Sequence, residues 1–575
     1  MNDSVTEGPD VPESTASAGA ETPQAPEAAQ RAPERQESIV RSAGIVSVAV
    51  MISRLTGLVR EMVMARLFGA GMAFDAFSLG FRIPNLTRDL FAEGALSSAF
   101  VPTFTEYLTV KGKAEAARLA NLVATAIVII VGFVCLLGVV FAPQVVGVLA
   151  SGWKSDPEKF ALAVKLTRTM FPFLLLVALA AQAMGILNAC GSFGVPAMAS
   201  AWFNVGSVSL GALAGFTAGP HIGIEPIQGM AWGVVLGGLL QLLWQVPSLR
   251  REGFSLRPAF DVSHAGLRHI FRLMGPAIIG NAAVQVNVAV NTNFASQIPG
   301  NGPVSWLQYA FRFMQLPLGV FGVAIASATL PSISRSAATS DLSQFRRTLA
   351  NSLGTVFLLT VPSSVGLALL GESIIGLIYQ HGRFTAYDTR MTALALSGYV
   401  IGLAGYAAVK VLAPAFYALG SARTPMMISL ASIGINFVVA WSMTQQAHMG
   451  HFGLALATSG VAIFNALALF WLLRARLNGI NGRALAVSIA KIVAASGAMA
   501  GAVALSHHLA LAWAGTGRLG RLADVLISIP AGMVVFLAAC RLLRVAELAT
   551  AERALAGPLG KLRRAGVLKS RGNGR

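Results

Sequence analysis

"FRIPNLTRDLFAEGALSSAF", residues 81–100, lines up with "FRFMQLPLGVFGVAIASATL", residues 311–330, at a shift of 230. Phe81 and Phe311, Arg82 and Arg312, Leu86 and Leu316, Phe91 and Phe321, and Ser97 and Ser327 coincide; Pro102 and Pro331 follow. A second pair, "GSFGVP" (191–196) and "GSARTP" (420–425), matches at a shift of 229. Two matches at nearly one shift indicate an internal repeat, and its length allows several membrane crossings at about 20 residues each.

Composition places those crossings in a bilayer. The chain has 575 residues, 55% hydrophobic and 12% charged, with a mean hydropathy of +0.66. A soluble protein carries about 25% charged residues, so a soluble fold is excluded. Leu119–Ala142, Phe452–Leu473 and Val525–Leu543 are continuous apolar runs of crossing length. Transmembrane β-barrels show short alternating segments instead. Fourteen candidate helices start near residues 42, 73, 119, 161, 195, 227, 270, 303, 348, 390, 424, 452, 485 and 523. The expected fold is therefore an all-α polytopic membrane protein. Residues 39–250 form one six-helix lobe, 251–475 a second, and 476–546 add helices 13 and 14. Six is even, so both lobes enter from the same side as parallel repeats about a pseudo-twofold axis along the membrane normal. A cleft lies between them, as in alternating-access transporters.

Residues 1–38, rich in Pro, Ala, Glu and Ser, read as a disordered tail and lack the basic start and apolar core of a signal peptide. Cys135, Cys190 and Cys540 are scattered in apolar runs and suggest neither a disulfide framework nor a metal site. The net charge of +18 would suggest nucleic acid in a soluble protein. Here it follows the loops: Lys111, Lys113 and Arg118; Arg250, Arg251, Arg257 and Arg268; Arg335, Arg346 and Arg347; Arg423; and Arg474, Arg476 and Arg483. The alternate loops 219–228, 297–303 and 445–451 hold no Lys or Arg, and Lys154 and Lys159 are accompanied by Asp156 and Glu158. Arg383, Arg390, Arg518 and Arg521 weaken the asymmetry without reversing it. The positive-inside rule then puts both termini in the cytoplasm, with a basic tail at 547–575, anionic membrane lipid as a contact and no nucleic acid.

Charges inside the helices remain. "SRLTGLVREM" (53–62) places Arg54, Arg60 and Glu61 within an apolar run. Each charge at a bilayer centre costs about 2.5–3.5 kcal/mol, so such residues should face a cavity or one another. Positions 54 and 61 share a helix face to within about 20°, and Gly57 permits a bend that brings Arg60 round. Asp75, Arg82, Arg88, Asp89 and Glu93 follow in the second helix, Arg312 in the eighth, and Lys410 in the tenth. One reading pairs them as fixed salt bridges: Arg54 or Arg60 with Glu61, Arg82 with Asp75, Arg88 with Asp89. Arg312 has no acid nearby in its own helix. The surplus of cations favours the other reading, an anionic cargo, since arginine suits bidentate phosphate recognition. An exporter of cationic drugs would need an acidic cavity. No GxxxxGK[ST] phosphate loop and no HExxH spacing occur, so neither ATP hydrolysis nor a metal or other cofactor is expected.

"SRLTGLVRE", "FGAGMAFDAF", "IPNLTRDLFAEGALSSAFVP", "VSWLQYAFRFMQLPLGVFGVA", "GRFTAYD" and "VKVLAPAFYALGSARTP" together resemble the MurJ (MviN) family of bacterial lipid II flippases. That family belongs to the superfamily of multidrug MATE exporters and polysaccharide flippases. The resemblance runs from about residue 40 to about residue 545. It implies a MATE-like fourteen-helix fold in the bacterial plasma membrane with a central cationic cavity. It also implies transport of the undecaprenyl-pyrophosphate-linked muropeptide lipid II from the inner to the outer leaflet for peptidoglycan synthesis. Cell-wall synthesis proteins are the implied neighbours. By motif match the substrate-binding residues fall on Arg54, Arg60, Arg88, Arg312 and Ser305, with Glu61 and Asp75 as charge-pairing or gating carboxylates. Helices 13 and 14 are implied to form a groove for the lipid tail. This chain has Phe311 and Gln315 where some relatives carry acids beside the helix 8 arginine. It has Asn291 and Asn436 where some members use carboxylates on helices 7 and 11 to hold sodium. The alternatives are a polysaccharide or drug transporter of the same superfamily and, in a different class, a membrane enzyme acting on polyprenyl phosphates. The latter would need carboxylate clusters that the loops lack.

Overall fold

The computed structural model describes residues 26–88, 96–480 and 482–549, and no strand occurs among them. Most of the expected tail before residue 38 (residues 1–25), the basic residues from 550 on, and Asp89 and Glu93 lie outside the described residues.

The first lobe comprises α1 (Pro26–Phe68), α2 (Met72–Arg88), α3 (Ser97–Glu106), α4 (Lys113–Val140), α5 (Ala142–Leu149), α6 (Pro157–Met170), α7 (Phe173–Ala189), α8 (Gly194–Ala212), a single turn α9 (Gly219–Ile222) and α10 (Pro226–Arg251). The second comprises α11 (Ala265–Gln297), α12 (Pro303–Pro317), α13 (Ala324–Ala338), α14 (Leu342–Tyr379), α15 (Ala386–Val400), α16 (Leu403–Ala418), α17 (Arg423–Trp441) and α18 (Gly450–Arg476). Then come α19 (Gly482–Ala514) and α20 (Arg518–Leu542). A helix stands at each of the fourteen expected places. Among the described residues, ten are long and apolar enough to cross a membrane, or eleven when the bent pair α15 and α16 counts as one span. The helices α1, α2 and α11 are not among those ten. α1 starts at Pro26, inside the segment expected to be tail. Proline is favoured at the first helical position, and the Ala, Glu, Gln and Arg residues that follow are strong helix formers.

The repeat is visible in the helix starts. Lys113 and Leu342, Pro157 and Ala386, and Gly194 and Arg423 open corresponding helices 229 residues apart. The caps correspond as well: Asp156 accepts from the Lys159 N–H at the start of α6, and Thr385 accepts from the Asp388 N–H at the start of α15. Outside the membrane, Asp341 caps α14, and the hydrogen bond from the Gln344 N–H holds its carboxyl below the usual range. Even the π-helical turns recur, at Leu213–Ala218 and Ser442–Gln446.

The cores show how the lobes meet. One apolar core joins both lobes where α1 ends and α2 begins: Phe68, Phe74 and Leu166 of the first lobe share it with Tyr309, Tyr379 and Phe384 of the second. At the opposite end the cores are separate. Ala120 and Leu187 belong to one, and their counterparts Leu349 and Phe416, 229 residues on, belong to another. The start of α11, through Leu267 and Ile270, packs into the first of these. Apart from the start of α11, the lobes are therefore fused at one end and divided at the other. α19 and α20 add a fourth core, centred on Ile492, Met499 and Phe536, against Leu358 and Leu370 of α14.

Two glycines make the closed end possible. Gly69 (φ +64°) ends α1 and Gly382 (φ +63°) lies in the loop after α14. The Arg383 N–H donates to the Arg66 carbonyl at 3.0 Å, and a Cβ on either glycine would run into the opposite backbone. Both the left-handed conformation and the close approach call for glycine.

Candidate functional site

The charged residues of α1 meet those of α12 beside the apolar core that joins the lobes. Glu61 is buried, with 7% of its surface exposed. Its Oε1 lies 2.5 Å from Arg312 Nη2 and 3.9 Å from Arg60 Nη2, and its Oε2 accepts the Tyr379 hydroxyl at 3.1 Å. One carboxylate thus serves two arginines from opposite lobes. The Arg60 guanidinium lies 5.5 Å from the centres of both the Phe81 and Phe203 rings, which position it by cation–π attraction. The Arg60 side chain is 16% exposed and that of Arg312 50% exposed, so Arg312 presents its charge to the cleft. Arg54, exposed, rests its guanidinium against Gly319 in the π-helical turn Leu318–Val323 after α12. Positions 54 and 61 thus face the same neighbour, as seven-residue spacing predicts. Arg88 is the last residue of α2. Arg60 and Arg312 therefore share a single buried carboxylate, with Arg54 two turns away along α1, so cations outnumber acids here. Phe311 and Gln315 do not leave Arg312 without an acid, because Glu61 comes to it from the other lobe.

Asp75 and Ser305 are elsewhere. Asp75 is fully buried at the start of α2. Its Oδ2 accepts Lys159 Nζ and the Gly302 N–H, each at 2.8 Å. Its Oδ1 accepts the Ser305 N–H at 2.9 Å and hydroxyl at 2.5 Å. The expectation that Asp75 pairs with arginine is corrected: Arg82 is two turns along α2, about 10 Å on, and donates instead to Thr292 Oγ1 at 2.9 Å. Ser305, expected at the substrate, is fully buried on Asp75 in the first turn of α12, two turns from Arg312. Asp75 and Ser305 are 230 residues apart, so they are counterparts in the repeat. Counterparts that touch each other lie on the pseudo-twofold axis. The cross-lobe arginine contacts obey the same symmetry: Arg82 of α2 reaches α11 as Arg312 of α12 reaches α1.

Lys159 was missed by sequence reading, which took it as a loop charge. It is 2% exposed, over the Trp153 ring, and also donates to Asn301 Oδ1 at 3.0 Å. The available signal was its place on the Ala163, Leu166, Met170 stripe of α6, all buried. Its counterpart Asp388, 229 residues on, accepts the Trp306 indole at 3.0 Å beside the same closed end. Asn291 and Asn436 meet in an uncharged network. Asn436 Nδ2 donates to Asn291 Oδ1 at 2.9 Å, and Asn291 Nδ2 donates to Thr458 at 3.1 Å.

A family model described as "Lipid II flippase MurJ" matches residues 64–520. The lipid II flippase MurJ of Burkholderia cenocepacia is 37% identical over 444 residues, 76% of this chain and 84% of that protein. The probable lipid II flippase MurJ of Bdellovibrio bacteriovorus is 33% identical over 488 residues, 84% of this chain and 91% of that one. Among solved structures, a lipid II flippase MurJ in an inward closed conformation superposes with a TM-score of 0.71 at 26% identity, over 87% of this chain and 99% of that one. An inward-facing MATE family multidrug transporter gives 0.63 at 14% identity, over 76% and 99%, which is likeness of fold alone. The chain belongs to the MurJ family of lipid II flippases.

Proposed function

We infer that this chain carries lipid II from the inner to the outer leaflet of the bacterial plasma membrane by alternating access, as a multi-pass transporter and not an enzyme. The observation that carries the reading is Arg60 and Arg312 converging from opposite lobes on one buried carboxylate. A pyrophosphate bridging them links the lobes through charge-assisted hydrogen bonds of about 1.5–3 kcal/mol each. Arg54 and Arg88 extend the cationic surface along the path. Glu61 pairs with the arginines while the cleft is empty, and cargo displaces it. That exchange gives the ligand different affinities for two lobe arrangements, without which binding drives no conformational change.

Asp75, Lys159 and Ser305 close the far end of the cleft on the pseudo-twofold axis. Arg250 and Arg251 end α10, Arg335 lies in the last turn of α13, and Arg474 and Arg476 end α18, all at the divided end. The positive-inside rule makes that end cytoplasmic, together with both termini. The cleft then receives the headgroup from the inner leaflet, while the polyprenyl tail stays in lipid along α14, α19 and α20. The test is leaflet accessibility of labelled lipid II after depletion of the protein. Loss of outward movement supports the flippase; normal movement with altered lipid chemistry supports a polyprenyl-phosphate enzyme.

A further inference from the structure

A cavity of about 620 Å³ outside the cleft lies between the first turns of α19 and the end of α20. Arg483, Lys491 and Arg544 line it together with Val487, Ser488 and Ala546. None of the three cations has a carboxylate partner among the described residues. The nearby Glu547 is engaged by the Ser488 hydroxyl.

Arg544 is in an unusual place for an arginine. The Val545 N–H donates to the Cys540 carbonyl at 2.9 Å and the Arg544 N–H to the Arg541 carbonyl at 3.1 Å, a Schellman closure of α20. The residue in that turn is left-handed, with φ +51° at Arg544, where glycine is the usual choice. Its carbonyl accepts Lys491 Nζ at 3.4 Å, which fixes the two cations relative to each other. Val487, in the lining, is 50% exposed, and Leu542, two residues before Arg544 along the chain, is 84% exposed. Cations adjoining bare apolar surface match an amphiphile better than a free anion.

We propose that this pocket binds an anionic phospholipid, with the headgroup phosphate on Arg483, Lys491 and Arg544 and the acyl chains along Val487 and Leu542. Basic pockets between membrane helices on the cytoplasmic side recognise headgroups in this way. The proposal rests on the functional reading above only for the leaflet concerned; its residues are on other helices than the arginines of the cleft.

Native mass spectrometry of the detergent-purified full chain tests it, with dioctanoyl-phosphatidylglycerol, dioctanoyl-phosphatidylcholine and inorganic phosphate as probes. Phosphatidylglycerol should bind in preference to both others. Arg544→Gly and Lys491→Gln should each weaken it about fivefold. Arg544→Gly should also leave the unfolding temperature unchanged or raised, because glycine relieves the left-handed turn. Arg312→Ala should leave this binding intact, whatever it does to transport. Equal binding of both lipids, equal displacement by inorganic phosphate, or unchanged affinity in both pocket variants would overturn the proposal. So would loss of phosphatidylglycerol in Arg312→Ala, since the lipid would then occupy the cleft.

Discussion

Glu61 is the residue on which the two readings of the intramembrane charges divide. Its partner Arg60 was legible in "VRE". Its closer partner, Arg312 at 2.5 Å, was not, because that pair exists only once the lobes are set side by side. Replacing Arg60 or Arg312 by Ala is expected to abolish lipid II transport at normal membrane abundance, with Lys rescuing in part because it keeps charge but not the planar fork. If the arginines merely neutralise Glu61, adding Glu61→Gln to either variant restores growth of a depletion strain; the cargo-binding role predicts no rescue. Arg82→Ala should be milder, since Arg82 bonds Thr292 and not Glu61. Lys159 makes a separate prediction. Lys159→Met leaves Asp75 buried without its cation, which costs about 3–5 kcal/mol. Thermal unfolding should drop sharply in that variant and recover in Lys159→Met with Asp75→Asn. An unchanged midpoint in the single variant would show that the Asp75–Lys159 pair does not stabilise the fold.

Among the elements, apolar length and turn residues made most helix starts readable, including α8, α12 and α17. The breaks were harder. The π-helical turn after Pro317 follows from a proline that cannot donate its N–H, yet nothing local says that Arg54 will lie against it. The contact between the loops at Gly69 and Gly382 joins segments more than three hundred residues apart, which no local pattern reports. Gly382→Ala is expected to force the Arg66 and Arg383 backbones apart and to bias the lobes toward opening at that end. Thiol labelling of a cysteine at Ser296, buried against Gly152 of the first lobe, should then rise, whereas unchanged protection would mean that the contact carries no share of the closure.

For the whole molecule, two lobes and a cleft could be read from matches at shifts of 229 and 230. Which end is shut could not. The repeat is symmetric about its axis, and closure depends on pairs such as Asp75 with Ser305 that form only across it. Orientation has its own check. Cysteines at Arg251 and Gln446, both exposed, should differ toward an impermeant thiol reagent added outside, with Gln446→Cys labelled and Arg251→Cys protected. The reverse pattern would turn the molecule over. Alternating access itself is tested most directly by tying the closed end. Asn293 of α11 donates to Ser151 Oγ of the first lobe at 2.9 Å, and neither side chain belongs to the cationic cluster. In Ser151→Cys with Asn293→Cys, oxidation should stop labelled lipid II from reaching the outer leaflet, and reductant should restore it. Full transport with the disulfide formed would contradict the account.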